Sequence, residues 1–334
     1  MLCAYGFAQN CLVEHPADVP REVLVKSVWL DLVEPSLDEE KRVEEALGFD
    51  IPTRGELAEI EASSRLYQDE GATFMTGNLI RRGEDDRPES SPVTFIIKDS
   101  QLITIRYHHP QAFPQYIKQA MRHATGNDPW GVFISLIEAV VDRAADHLER
   151  VGAIVEDTSR QVFATSFIRK QEAPRRRLKP KNLEVLLGKV GEEGDFTSKM
   201  RESLVSISRM MAFAQAVVDN LPTGKPKREA LARIKVVQRD IISLTDHAGF
   251  LNGKISFLLD AVLGMISIEQ NNTIKIFTVA SVAFLPPTLI ASIYGMNFKS
   301  IPELQWDVGY PYAVVLMIAS ALLPIYYFRR KGWF

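Results

Sequence analysis

The amino-acid sequence predicts an α+β domain of α/β/α-like layering, followed by one very long helix that runs on into the first of two membrane spans. Three observations predict it. Up to Tyr107 the chain consists of short β-branched runs separated by turn pairs. From Pro114 onward apolar residues recur at three- and four-residue spacing, the period of an amphipathic helix. Charge is sharply divided: 24% of the chain is Asp, Glu, Lys or Arg, yet from Ile276 to Phe328 only Lys299, Glu303 and Asp307 are charged. The two parts are built for different solvents.

In chain order, Met1 to Ala8 is apolar but short, lacks a basic leader, and does not read as a signal peptide. Val25 to Val33 reads as a strand. Ser36-Leu37-Asp38-Glu39 is a capping box, with Ser36 accepting from the Glu39 amide and Glu39 reaching back, and predicts a helix to Leu47. Glu70-Gly71 joins Ser63–Asp69 to Ala72–Ile80 as a tight hairpin, and Asp99-Ser100 joins Val93–Lys98 to Gln101–Tyr107 as a second. The polar run Arg81 to Ser91 reads as a loop, and His108-His109, before Pro110, as a turn or surface position. Trp130 to Phe163 reads as a helix on Val132, Phe133, Leu136, Val140, Val141, Ala144, Leu148, Val151, Ile154 and Val155. The basic run Arg169 to Lys181 reads as a hinge, a second helix covers Ser198 to Asn220, and Leu221 to Pro226 breaks the chain. From Lys227 nothing interrupts a helix until Pro286-Pro287; it would reach Tyr294, about 68 residues and roughly 100 Å long. The expected divisions are 1–225 for the domain with its helical hairpin, 226–273 for the stalk helix, 274–294 for the first span, 295–309 for an outer loop, 310–328 for the second span and 329–334 for a basic tail.

Composition excludes several classes. A net charge of −3 offers no basic surface for nucleic acid, and two cysteines are too few for a disulfide framework. There is no Gly-rich phosphate loop, no Gly-x-Ser-x-Gly, no Cys-x-x-Cys and no His-Glu-x-x-His, so neither an enzyme nor an organic cofactor is expected. Ile276–Ile293 and Tyr310–Phe328 are each uncharged and close to the roughly 20 residues that cross a bilayer. Lys275 precedes the first and Arg329-Arg330-Lys331 follow the second. Positive residues stay on the cytoplasmic side, so both termini are expected inside and the loop outside.

One line along the long helix is small or polar almost throughout: Asp246, Gly249, Gly253, Asp260, Gly264, Ser267, Asn271, Ile274, Thr278, Ser281, Leu285, Thr288, Ser292 and Gly295. Two readings fit. Small residues let helices pack closely, or the stripe lines water within a bundle of identical helices whose apolar flanks seal it. Two spans cannot enclose a path, so a pore needs several copies. Pro286-Pro287 frees backbone carbonyls inside the span, which a neighbour or a water-filled path must satisfy.

The segment Tyr294-Gly295-Met296-Asn297-Phe298, then Ile301-Pro302-Glu303-Leu304, Trp306, Gly309-Tyr310-Pro311, and a second span ending in Arg329-Arg330-Lys331-Gly332-Trp333, resembles the CorA family of magnesium channels. Trp29-Leu30-Asp31-Leu32 is similar to a run near the start of many CorA-like domains. The resemblance implies a homopentameric funnel in an inner membrane, passing Mg²⁺ and also Co²⁺ and Ni²⁺. It implies a selectivity filter of Gly295, Met296 and Asn297, apolar constrictions at Ile274, Phe277 and Leu285, and polar pore positions at Asn271 and Thr288. Ser281 and Ser292 join them from the stripe; Phe277 stands one step off it. Glu303 and Asp307 in the outer loop could gather cations. Family members are held closed by Mg²⁺ between adjacent soluble domains, and Asp240, Asp246 and Asp260 are the candidate regulatory ligands. The chain departs from the family pattern at Lys299, often an acid, and Ile301, often Met. The rivals are a ZntB-like zinc transporter and a membrane-tethered sensor.

Overall fold

The computed structural model describes residues 1–15, 20–59, 65–82, 88–124, 126–167, 180–297 and 302–331. In chain order the elements are β1 (Leu2–Ala8), β2 (Cys11–His15), α1 (Arg21–Lys26), β3 (Trp29–Val33), α2 (Leu37–Leu47), α3 (Arg54–Glu59), β4 (Leu66–Asp69), β5 (Ala72–Arg82), β6 (Pro88–Lys98), β7 (Gln101–Arg106), α4 (Ala112–Ala120), α5 (Pro129–Phe167), α6 (Pro180–Asp219), α7 (Lys225–Tyr294) and α8 (Gly309–Arg330). Two compact units result. One holds the described residues up to 167 together with 186–259; the other holds 180–185 and the described residues from 260 on.

The seven strands form one sheet in the order β2-β1-β3-β7-β6-β5-β4, antiparallel except for β3 and β7. Its hairpins follow turn chemistry. Glu70 and Gly71 both take positive φ, 45° and 77°, as a tight two-residue hairpin demands. The β1–β2 turn uses Gln9 and Asn10 at φ 50° and 62°. Without a glycine to mark it, that hairpin is missing from the sequence reading. The expected loop at Arg81–Ser91 is strand at both ends, with Ile80 opposite Ser90 and Arg82 opposite Pro88; 83–87 lie outside the described residues. The expected strand at Val25 divides instead. Pro20 opens a helix, and Gln101 Nε2 donates to the carbonyls of Leu24, Val25 and Ser27, closing α1 before β3 begins.

One face of the sheet buries Leu30, Leu32, Ile96, Ile103 and Ile105 with Leu24 and Val43 of α1 and α2. The other buries Trp29, Phe95, Leu102 and Met75 with Phe113 of α4 and Phe133 of α5. This is the expected three-layer arrangement. At its centre lies an ion pair, with Arg106 8% and Asp31 1% exposed. Arg106 donates from Nε to Asp31 Oδ1 at 3.1 Å, from Nη2 to Oδ2 at 2.8 Å, and from Nη1 to the His108 carbonyl at 3.0 Å. Thr104 donates to Asp31 at 2.6 Å and accepts from Trp29 Nε1 at 3.0 Å. His108, expected at a turn or on the surface, lies in a bend but is buried; His109 is exposed.

The three long helices follow. Of the apolar positions expected on α5, only Val140 and Ile154 are less than fully buried. Helix α6 starts at Pro180, well before the expected Ser198 and within the expected basic hinge, of which 169–179 lie outside the described residues. Proline suits a helix's first position because its missing donor has no partner there. Gly188, Gly191 and Gly194 do not break α6; a Cβ at Gly194 would stand 3.1 Å from Ile255, so this glycine lets α6 and α7 approach closely. On α7, Ala230, Ile234, Val237, Ile241, Ala248, Leu251, Ile255 and Leu258 are all buried, an alternation of three and four that forms a coiled-coil-like seam. Arg233 clamps it to α5 through both oxygens of Glu138, at 3.0 and 2.6 Å.

Arg106→Met would strand the Asp31 charge in the core. A loss of about 3–5 kcal/mol is expected, read as a fall in the thermal midpoint of the detergent-solubilised protein. Asp31→Asn combined with Arg106→Met should recover part of it, since no charge is then left unpaired.

Candidate functional site

Helix α7 continues without a break through Pro286 and Pro287 to Tyr294. At about 100° per residue, Asn271, Ile274, Phe277, Ser281, Leu285, Thr288 and Ser292 fall within an arc of about 120°. Phe277 belongs to that arc. It looks displaced only against a strict seven-residue repeat, from which a straight helix drifts by about 20° per heptad. All seven residues are exposed, Phe277 at 69%. The same construction places the line through Asp246, Gly249, Gly253 and Asp260 about 180° from the buried seam of Ala248, Leu251, Ile255 and Leu258. Three hydroxyls on the polar face bond within the helix: Thr278 donates to the Ile274 carbonyl at 2.9 Å, Thr288 to Phe284 and Ser292 to Thr288, both at 2.8 Å.

The helix ends where Gly295-Met296-Asn297 begins. The Gly295 amide still donates to Ala291 at 2.9 Å and Met296 to Ile293 at 3.2 Å, while Asn297 is already outside the helix and exposed. A Cβ at Gly295 would stand 3.1 Å from the Ala291 carbonyl, so glycine keeps this last turn tight. Lys299 and Ile301 lie outside the described residues. The chain resumes with a 3-10 turn over Pro302–Gln305 that carries Glu303; Asp307 follows, exposed. The Trp306 amide donates to Glu303 and the Gly309 amide to Trp306, and the Trp306 and Tyr312 rings meet edge to face at 6.1 Å. Gly309 is the residue whose importance sequence reasoning missed. A Cβ there would collide with the Glu303 carbonyl oxygen, so only glycine lets α8 start directly under the turn.

Asp240, Asp246 and Asp260 are exposed on α7. They are not gathered: among the described residues no three His, Cys, Asp or Glu side chains stand close enough to hold a metal ion. Asp240 does adjoin α5. Burial first, then the charges of Glu138, Asp146 and Asp240, hold the Asp142 carboxyl above the usual carboxylate range.

Among the described residues two helices, α7 and α8, are long and apolar enough to cross a membrane. Residues 26–330 match the model of the CorA-like Mg²⁺ transporter protein family. The chain belongs to the CorA-like Mg²⁺ transporter family. CorA-like proteins are transporters, not enzymes. Salmonella typhimurium has a relative, "Magnesium transport protein CorA", 35% identical over the whole of both chains. Among solved structures, the CorA magnesium transporter of Methanocaldococcus jannaschii superposes with TM-score 0.71 at 18% identity, over 100% of this chain and 99% of that one. The ZntB cytoplasmic domain of Vibrio parahaemolyticus covers 78% of this chain and 96% of its own, with TM-score 0.56 at 11% identity. At such identities these two structures speak for the CorA-like fold alone.

Two outcomes are expected. Gly309→Ala should displace the 302–305 turn, seen as altered Trp306 fluorescence with unchanged helix content by circular dichroism. Asp240→Asn removes a like charge facing Asp142. Because the folded pKa of Asp142 is raised, wild-type stability falls as pH rises through it. The variant's thermal midpoint in metal-free buffer should exceed wild type at pH 7 and converge with it at pH 4.

Proposed function

We propose that the chain assembles as a homopentamer in the inner membrane and carries Mg²⁺ inward, with Co²⁺ and Ni²⁺ as further substrates. The spans are 274–294 and 310–328, with both termini cytoplasmic and 295–309 outside. The observation that carries the reading is the placement of Gly295-Met296-Asn297 directly at the end of an apolar helix whose exposed arc, Asn271 to Ser292, is studded with small and polar residues. The full-length relative named for magnesium transport supports the choice of ion.

In this reading five copies of the arc face a shared path. Mg²⁺ holds its water tightly and takes oxygen ligands. Neutral Asn297 amides, one per copy, can hydrogen-bond the outer waters of a hydrated ion without trapping it, where carboxylates would bind too strongly. Asn271, Ser281, Thr288 and Ser292 offer further polar contacts, and Ile274, Phe277 and Leu285 form apolar rings able to close by dewetting. A divalent ion moving inward through 100 mV gains about 4.6 kcal/mol, enough to drive uptake without a nucleotide. Glu303 and Asp307 raise the local cation concentration.

Intracellular Mg²⁺ would gate the path through Asp240, Asp246 and Asp260. The lack of a three-ligand cluster among the described residues suits an ion that keeps most of its water and takes one or two carboxylates from each of two neighbours. Five chains of net charge −3 repel one another until such cations intervene.

The test is Mg²⁺ flux into liposomes carrying the purified protein under an inside-negative potential. Cobalt hexammine, a mimic of the hydrated ion, should block uptake, and Asn297→Ala should reduce selective uptake at least tenfold while leaving the protein folded. Zn²⁺ movement along a proton gradient with no Mg²⁺ flux would favour the ZntB-like rival; no flux of either ion would favour a tethered sensor.

A further inference from the structure

A groove of about 530 Å³ opens in the soluble unit, one residue beyond the Arg106 of the buried ion pair. It lies at the carboxyl ends of β3 and β7, the one parallel pair among the described strands, which both neighbours flank antiparallel. In open sheets with helices on both faces, the crevice outside the carboxyl ends of parallel strands is where ligands bind. The volume falls in the range of small-molecule sites.

Glu34, Glu40, Thr53, Arg54 and Tyr107 line it. Glu34 directly follows β3 and is held at φ 45°, its amide donating to the Arg106 carbonyl at 2.8 Å. A left-handed glutamate stores strain, and such residues cluster at binding sites. Glu40, on α2, is only 9% exposed, and its carboxyl meets the Tyr107 hydroxyl at 3.4 Å. The Arg54 guanidinium lies 5.2 Å over the Tyr107 ring and is otherwise exposed. Burial, offset in part by the Tyr107 hydroxyl and reinforced by Glu44, raises the Glu40 carboxyl above its ordinary range. Burial and Glu40 push Tyr107 up to about 12, so its hydroxyl stays protonated.

The chemistry narrows the ligand. A bare metal ion finds no three-ligand cluster and faces Arg54. A simple anion meets two carboxyl groups, and an organic amine meets the positive charge of Arg54. A ligand with vicinal hydroxyls, a flat heterocycle and a phosphate matches every wall at once. We propose that this groove binds a nucleoside phosphate, with ribose hydroxyls on Glu34 and Glu40, the base against Tyr107 in the place Arg54 now holds, and the phosphate on Arg54. Carboxylates at strand ends take ribose hydroxyls in doubly wound parallel sheets.

The proposal does not use the transport reading, and its test needs no ion gradient, so either can fail alone. Titration calorimetry on the full-length, detergent-solubilised protein in EDTA would compare AMP, GMP, CMP and UMP with adenosine, inorganic phosphate and spermidine. At least one nucleotide should bind saturably, one per chain, and phosphate and spermidine should not bind at the same concentration. Arg54→Ala should weaken the nucleotide at least tenfold and leave the matching nucleoside unchanged. Glu34→Gln should weaken nucleotide and nucleoside alike, and both variants should keep the wild-type thermal midpoint. Four silent nucleotides, binding indifferent to both substitutions, or phosphate or spermidine binding as well as the nucleotide, would each overturn it.

Discussion

The buried seam of α7 is the constraint on which the rest of the core depends. A helix fixes each residue's direction by its number, so the positions from Lys225 to Leu259 answer to a single rotation. Ala230 through Leu258 use one face to complete the core with α5 and α6. The line from Asp246 to Asp260 must then stand on the opposite face. A residue inserted or deleted between Ile241 and Ala248 would turn every later side chain of the seam by about 100°, out of the core.

The sheet supplies a second kind of constraint. Asp31 and Arg106 sit on adjacent parallel strands, and their bidentate pairing holds only in the register that sets Asp31 beside Thr104 and Val33 beside Arg106. A one-residue slip would bury two stranded charges as well as exposing the core face. The same register places Glu34 and Tyr107 side by side at the end of the pair.

Much of this was legible in the sequence because its physics is local. The capping box at Ser36 and Glu39 formed as written, at 3.3 and 3.0 Å. The Glu70-Gly71 hairpin and the absence of any breaker between Pro226 and Pro286 were equally plain. Failures came where distant partners decide. Arg81, Arg82 and Pro88–Ser91 are polar by composition but strand by pairing. Val25 lies in a helix because Gln101, far along the chain, caps it. Gly188, Gly191 and Gly194 look like interruptions until Ile255 is seen against the last of them. At the site, the arc through Phe277 follows from helix geometry alone, whereas the reason for Gly309 is a carbonyl six residues back that no periodicity reveals.

The intrahelical bonds of Thr278, Thr288 and Ser292 have an electrical consequence. Each hydroxyl has committed its single proton to a carbonyl of its own helix, leaving only lone pairs to face outward. At these three positions the helix presents electron pairs rather than donors. Water against them turns its hydrogens toward the helix and its oxygen away. A cation welcomes water so oriented; chloride would have to reverse it. The preference for positive charge beside these three positions thus rests on the direction of three hydroxyl protons, with no ionised side chain among them.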